Sequence, residues 1–307
     1  MPPEEGRSAG ARAPETMQTM DVPQAHSDFI LTFACPDRVG IVAAIASTLA
    51  QDGWTITESQ QYADPDTRRF FMRVRFSADR AVALDEVRTT LAPVLEPFEM
   101  DWDLHDASAP LRVVVMVSKQ GHVLNNLLFH TQQGQVPIEI VAVVSNHPDW
   151  RDVVEWHGIE FHQIRVTAET KRETEQFVLD LMERTDAEAL ILARYMQILT
   201  DQMCRDVHGR AINIHHSLLP SFKGARPYEQ AHRHGVKVIG ATAHYVTADL
   251  DEGPIIEQDF RRVDHRSSAA ELAAMGQDLE ARALVHAVRA HAEHRVLLNG
   301  MKTVVFD

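Results

Sequence analysis

Two cysteines, Cys35 and Cys204, are all that the 307 residues contain, and they fall in different halves of the chain. A disulfide framework is thereby excluded, and a reducing compartment, the cytoplasm, is expected. Basic residues are also few: 30 Lys and Arg stand against 44 Asp and Glu, a formal net charge of −14. With no broad cationic face, neither nucleic acid nor an anionic membrane surface is an expected partner. A locally basic pocket for an anionic small molecule stays open. No apolar run exceeds strand length, and the N-terminus lacks a basic segment followed by an apolar stretch, so neither a membrane span nor a secretory signal is expected. What the chain does have is 45% hydrophobic and 24% charged residues, over a length sufficient for two domains with separate cores.

Residues 1–26 are rich in Pro, Gly, Ala and charge without apolar periodicity, which predicts a disordered tail. A strand is predicted over 29–34, broken by Pro36-Asp37-Arg38, and a helix over 39–51, stopped before Gly53. Strands over 54–62 and 69–76 flank the turn Asp64-Pro65-Asp66; a helix over 81–95 and a strand over 98–105 follow. The order βαββαβ predicts a small ferredoxin-like module over residues 27–106. Asp106-Ala107-Ser108-Ala109-Pro110 is the expected linker to a second domain, 111–307.

In that second part the pattern changes to short, fully apolar runs at 113–117, 138–144 and 189–193. Strands of this kind are buried on both faces and predict a mostly parallel sheet in an α/β layer. Helices are predicted over 123–133, 170–184 and 270–294, the last opened by Ser268 and Glu271 at capping-box spacing. Open α/β sheets bind ligands at the carboxyl ends of their strands, and Asn213 and His215 fall at such an end.

The most directive stretch is Asn213-Ile214-His215-His216-Ser217-Leu218-Leu219-Pro220-Ser221-Phe222-Lys223-Gly224, followed by His244 and then Leu250-Asp251-Glu252-Gly253-Pro254. A carboxamide, an imidazole two positions on and a carboxylate from a later loop can run acyl transfer. The amide polarises a carbonyl, the imidazole moves a proton, and the carboxylate holds a charge or a water. If the strand continues, His216 points away from His215. His244 is placed in a strand, within possible reach of the reacting group. Gly224 suits a turn that brings backbone close to a ligand. Lys223 suits a substrate contact or the solvated surface equally. Among 17 histidines, His232-x-His234 and His291-x-x-His294 are candidate metal pairs, but both lack Cys or carboxylate partners at zinc spacing and are expected on polar helix faces. No metal and no cofactor is expected.

At these residues the chain resembles the folate-dependent formyl transferases and hydrolases, and most closely the formyltetrahydrofolate deformylases. The stretches LARYMQIL (192–199), NIHHSLLPSFKGARPY (213–228), GATAHY (240–245) and LDEGPIIEQ (250–258) carry the likeness over the whole second domain. The run CPDRVGIVAAIASTLAQ (35–51) looks like the first loop and helix of an ACT-type regulatory module. The resemblance implies an ACT, ferredoxin-like domain followed by a Rossmann-like formyltransferase domain. It implies 10-formyltetrahydrofolate as substrate, formate and tetrahydrofolate as products, and a place in one-carbon metabolism. It maps the catalytic trio onto Asn213, His215 and Asp251, and folate contacts onto Tyr195, Met196, Gln197, Ile198 and Leu199, of which Met196, Ile198 and Leu199 would otherwise read as core. In ACT modules the loop matching Asp37-Arg38-Val39-Gly40 binds a small amino acid, often between two copies. Glycine or methionine is therefore an expected effector, and a homo-oligomer an expected state.

The trio serves hydrolase and transferase alike. A transferase for a phosphorylated amine would want a glycine-rich loop after the first strand of the second domain, whereas here that loop reads Ser118-Lys119-Gln120-Gly121-His122. Bulky side chains make it a poor phosphate cradle, which favours water as acceptor. A formyltransferase, or a non-catalytic folate or amino-acid sensor on the same fold, remains the alternative.

Overall fold

A computed structural model describes residues 26–221 and 227–307. Residues 1–25 of the expected tail lie outside that description. The first six elements are β1 (Ser27–Pro36), α1 (Ile41–Gln51), β2 (Thr55–Asp64), β3 (Arg69–Ala78), α2 (Leu84–Leu95) and β4 (Asp101–Asp106). They form an antiparallel sheet in the order β2-β3-β1-β4. Its core is built from Phe29, Leu31 and Phe33 of β1, Phe70, Met72 and Val74 of β3, and Ile41, Ile45 and Leu49 of α1. The α1 residues sit four apart and so share one helix face.

Element starts shift from the sequence reading most where one backbone conformation decides them. α1 opens at Ile41 because Gly40 is left-handed (φ 100°), and Val39 stands fully in solvent. α2 opens at Leu84 because Ala83 is extended (ψ 144°). The last strand opens at Asp101 because a short 3-10 turn, Glu96–Phe98, intervenes and is closed by left-handed Glu99 (φ 56°).

The second region contains β5 (Leu111–Val117), α3 (His122–Gln132), β6 (Ile138–Ser145), α4 (Arg151–Trp156), β7 (Glu160–Gln163), α5 (Lys171–Arg184), β8 (Ala189–Ala193), α6 (Asp201–Asp206) and β9 (Ala211–His215). After it come α7 (Pro227–His234), β10 (Val238–Tyr245), β11 (Ile255–Arg262), α8 (Ala269–Ala292), β12 (Val296–Asn299) and β13 (Lys302–Val305). A seven-stranded sheet runs β11-β10-β9-β8-β5-β6-β7. Its strands from β7 to β9 pair in parallel, while β10 and β11 are antiparallel. The mixed α/β class and the mostly parallel sheet are therefore as the apolar runs require: all five residues of β8 are buried, because helices cover both faces. α8 is capped by the Ser268–Glu271 box, with both reciprocal bonds made.

From β5 the chain runs outward through β6 to β7 and then crosses back to β8 on the other side of β5. This is the switch point where strand ends open a crevice. At the far end of the molecule the β12–β13 hairpin packs Phe306, Leu297 and Val304 against Phe71 and Ala34 of the four-stranded sheet. Asn299 donates to Asp64 across the same seam (2.5 Å), and the rings of His105 and His294 stack at 3.5 Å. His291 Nδ1 and the Tyr245 hydroxyl are hydrogen-bonded at 2.7 Å. The pair expected on a polar helix face is thus partly buried at the junction of the two sheets.

Candidate active site

β9 ends at His215, with Asn213 and His215 on the same side by strand alternation and β10 antiparallel beside them. His244 stands directly opposite Asn213 in the register, and the side chains meet: Asn213 Nδ2 lies 3.2 Å from His244 Nε2. His244 donates its Nδ1 proton to the Tyr245 carbonyl (2.9 Å), so its Nε2 carries the lone pair that accepts from the amide. Burial pushes the His244 imidazole below its ordinary value, in keeping with a neutral ring. One amide hydrogen of Asn213 is thereby committed, and its second is left over.

Asp251 reaches this point from the loop between β10 and β11. Tyr245 donates its backbone N–H to the Pro254 carbonyl (2.9 Å), pinning the loop on β10. The approach depends on Gly253, where a Cβ would come within 1.7 Å of the Tyr245 oxygen. Asp251 itself is left-handed (φ 57°), a conformation that Asp tolerates better than most residues. Its Oδ1 lies 3.2 Å from His215 Nδ1 and 3.9 Å from His244 Nε2. Since His244 Nε2 bears a lone pair, only the His215 contact is an attractive pair. Burial pushes the Asp251 carboxyl up, but the opposing contributions, led by the hydrogen bond from His215, outweigh it and hold the group below its ordinary value. His215 Nε2 is buried and has no hydrogen-bond partner among the described residues.

His216 does not point away from His215. The strand stops at His215, and the two rings stack at 4.8 Å with 18° between their planes. The segment that follows is held by the fully buried Thr242, whose hydroxyl donates to Ser217 O (2.8 Å) and accepts from Leu219 N (3.0 Å).

A cavity of about 820 Å³ opens over these groups, within the usual range for a small-molecule site. Asn213, His215, His216, His244 and Asp251 line it, and so do Tyr195, Met196, Gln197, Ile198 and Leu199. Met196 and Ile198 are 58% and 60% exposed, apolar surface that a flat ligand can cover, whereas Tyr195 and Leu199 are buried. Burial raises the Tyr195 phenol to about 12, so it stays protonated. Lys223 and Gly224 lie outside the described residues. Asp37, Arg38, Val39 and Gly40 form an exposed loop ahead of α1, with Arg38 paired to Glu99.

Sequence reasoning missed the polar side of the cavity, made by Gln120, Arg194, Tyr228, Gln277 and Glu280. Glu280, on α8, is 1% exposed. It accepts from His122 Nε2 (2.9 Å) and the Tyr228 hydroxyl (2.7 Å), and pairs with Arg194 Nε (3.3 Å). Burial raises this carboxyl, but His122, Arg194 and Tyr228 outweigh it and leave it below its ordinary value. The available signal was a lone acidic residue on the apolar face of a long helix. No group of three or more His, Cys, Asp or Glu able to hold a metal ion occurs among the described residues. No described helix is long and apolar enough to cross a membrane.

Residues 111–288 match the model of the formyl transferase family. A formyltetrahydrofolate deformylase of Corynebacterium sp. (strain P-1) is 49% identical over 277 residues, 90% of this chain and 97% of that protein. One from Bacillus subtilis (strain 168) is 45% identical over 279 residues, 90% and 93% of the two chains. This chain belongs to the formyltetrahydrofolate deformylase family. The crystal structure of a formyltetrahydrofolate deformylase from Burkholderia mallei superposes with a TM-score of 0.88 at 46% identity, covering 92% of this chain and 100% of that one. The deformylase likeness carried by the four motif stretches thus extends into the four-stranded sheet, since the match takes in nearly all of the chain.

Proposed function

We propose that this chain hydrolyses 10-formyltetrahydrofolate to formate and tetrahydrofolate, breaking the formyl C–N10 bond with water. The observation that supports it most is the convergence of Asn213, His215 and Asp251 on one wall of a cavity whose mouth is apolar at Met196 and Ile198. In this reading the second amide hydrogen of Asn213 and the unpartnered His215 Nε2 donate to the formyl oxygen as it gains charge. One such donor is worth about 3 kcal/mol of barrier. Asp251 stabilises the imidazolium form of His215, orients the attacking water and takes its proton as the C–O bond forms. His215 then passes its proton to N10 as the C–N bond breaks, help worth roughly 10²–10⁴-fold. Tyr195, Gln197 and Leu199 complete the folate slot, with His216 and His244 beside the reacting group.

Water as acceptor is supported by the loop after β5. The Gln120 side chain is bound by Arg194 (2.8 Å), His122 by Glu280, and the Ser118 hydroxyl donates to Asn146 (2.7 Å). The side chains of Ser118, Gln120 and His122 are thus engaged by other protein groups, which leaves them poorly placed to receive a phosphorylated amine. The test is release of tetrahydrofolate from 10-formyltetrahydrofolate with and without an amine acceptor. Release without acceptor supports the hydrolase, release only with it makes the chain a transferase, and no release leaves a sensor.

For residues 27–106 we propose an ACT-type regulatory module over a homo-oligomer, binding glycine or methionine at Asp37–Gly40. The support is the solvent-facing Val39 and the left-handed Gly40 at the start of α1. Neither amino acid shifting the melting temperature or the rate would rule out both as effectors.

A further inference from the structure

The two stacked imidazoles of His215 and His216 raise a question that Asp251 alone does not answer: which ring holds the proton. Two imidazolium rings at 4.8 Å repel, so the pair carries one positive charge most readily. Arg194 makes the choice. Its Nη1 lies 2.7 Å from His216 Nδ1. A guanidinium has donors only, so His216 Nδ1 must present a lone pair, and the ring's single proton sits on Nε2. A proton on Nδ1 would set N–H against N–H, and in the doubly protonated ring it would also set cation against cation.

The guanidinium cannot readily turn aside. Its Nε faces Glu280 Oε2 at 3.3 Å, its Nη2 donates to Gln120 Oε1 at 2.8 Å, and the side chain is 10% exposed. Glu280 is fixed in turn by His122 and Tyr228. Arg194 also holds a left-handed backbone (φ 63°), its N–H turned back to the Leu192 carbonyl at 3.1 Å. A long side chain in that conformation costs free energy, and such strain persists where the surroundings over-determine it. Besides Arg194 and His215, the acidic, basic and phenolic groups lining the same cavity as His216 are His244, Asp251, Glu280, Tyr195 and Tyr228.

We propose that Arg194 is a positioning residue that keeps His216 neutral, with its proton on Nε2, so that the proton shared by the histidine pair resides on His215. The catalytic consequence rests on the reading of His215 as the acid; the proton placement does not, and it can be read without substrate. The experiment is nitrogen-15 NMR of histidine-labelled protein from pH 6 to 8, with His216 assigned by the His216→Gln variant. The expected spectrum shows His216 Nδ1 unprotonated throughout. Arg194→Met should let His216 take up a proton within that range and lower kcat at pH 6.5 by about tenfold with KM within about twofold. Arg194→Lys, which keeps a donor-only cation, should restore most of the tautomer and the profile. A proton on His216 Nδ1 in the unaltered protein overturns the proposal even if Arg194→Met does not fold. So does an Arg194→Met protein whose His216 spectrum and pH profile are unchanged. An expected spectrum in a protein without hydrolase activity would sink the proposed function and leave the proton placement standing.

Discussion

Replacing Asp251 by Asn isolates the charge of the site from its shape. Asn accepts the left-handed backbone that Asp251 adopts (φ 57°) and fills nearly the same volume, so the loop should stay in place. What is lost is the attraction between the carboxylate and the His215 imidazolium across 3.2 Å. At an effective dielectric constant of about 20 that attraction is about 5 kcal/mol, and an amide dipole recovers about 1 kcal/mol of it. The remaining ~4 kcal/mol corresponds to about a thousandfold in rate. Steady-state kinetics should therefore show kcat lower by about 10³ with KM within about threefold, because Asp251 acts on the charged state and little on folate binding. Circular dichroism, melting temperature and tetrahydrofolate affinity should match those of the unaltered protein. A kcat within tenfold of it, or a loss carried by KM, would refute the role given to this carboxylate. A fall in melting temperature would make Asp251 structural.

Gly253→Ala should push the loop away from β10, since its Cβ meets the Tyr245 oxygen at 1.7 Å, so kcat should drop by at least about tenfold along with melting temperature. An alanine variant with full activity would show that Asp251 does not depend on that approach. Ser268→Ala removes the cap of α8 and should cost about 1 kcal/mol, a fall of roughly 2–4 °C in melting temperature, checked by calorimetry. At the junction of the two sheets, burial pushes His291 down to about 4 and His294 down to about 3, so both are neutral in the folded chain at pH 7. In the unfolded chain they titrate near about 6.5, so the unfolded state binds more protons below that pH. Their contribution is complete above about 6.5 and is lost as pH falls toward the folded values. Denaturant midpoints should accordingly drop between pH 7 and 5, and His294→Phe should flatten the slope; a flat profile in the unaltered protein would show that these rings stay protonatable.

Much of the architecture was legible in the chain because local pattern and burial agree. Runs such as 189–193 are apolar at every position, which only a strand covered on both faces needs, and Ser268 with Glu271 marks the start of α8 three residues apart. Starts of elements were less legible where a single backbone conformation decides them, as at Gly40, Ala83 and Glu99. The strands and short helices with weak patterns, among them β7, β12, β13 and α6, emerge only when packed. Asn213, His215 and Asp251 could be singled out because their chemistry is unusual at a strand end and a Gly-Pro loop. Arg194 and Glu280 could not, because one polar residue beside a strand and one acid on a helix are ordinary features until their partner is known.

Sequence by itself therefore determined the class of fold and the family, and singled out the candidate groups for acting on a formyl carbon. Tertiary structure alone decided how those groups are wired. It set His244 opposite Asn213, brought Asp251 to His215 over a glycine, turned His216 onto His215, and joined Arg194 to a carboxylate 86 positions further on. The reason is range: periodicity and turn chemistry act over a few residues, whereas proton placement depends on distances between side chains that only the packed sheet brings together.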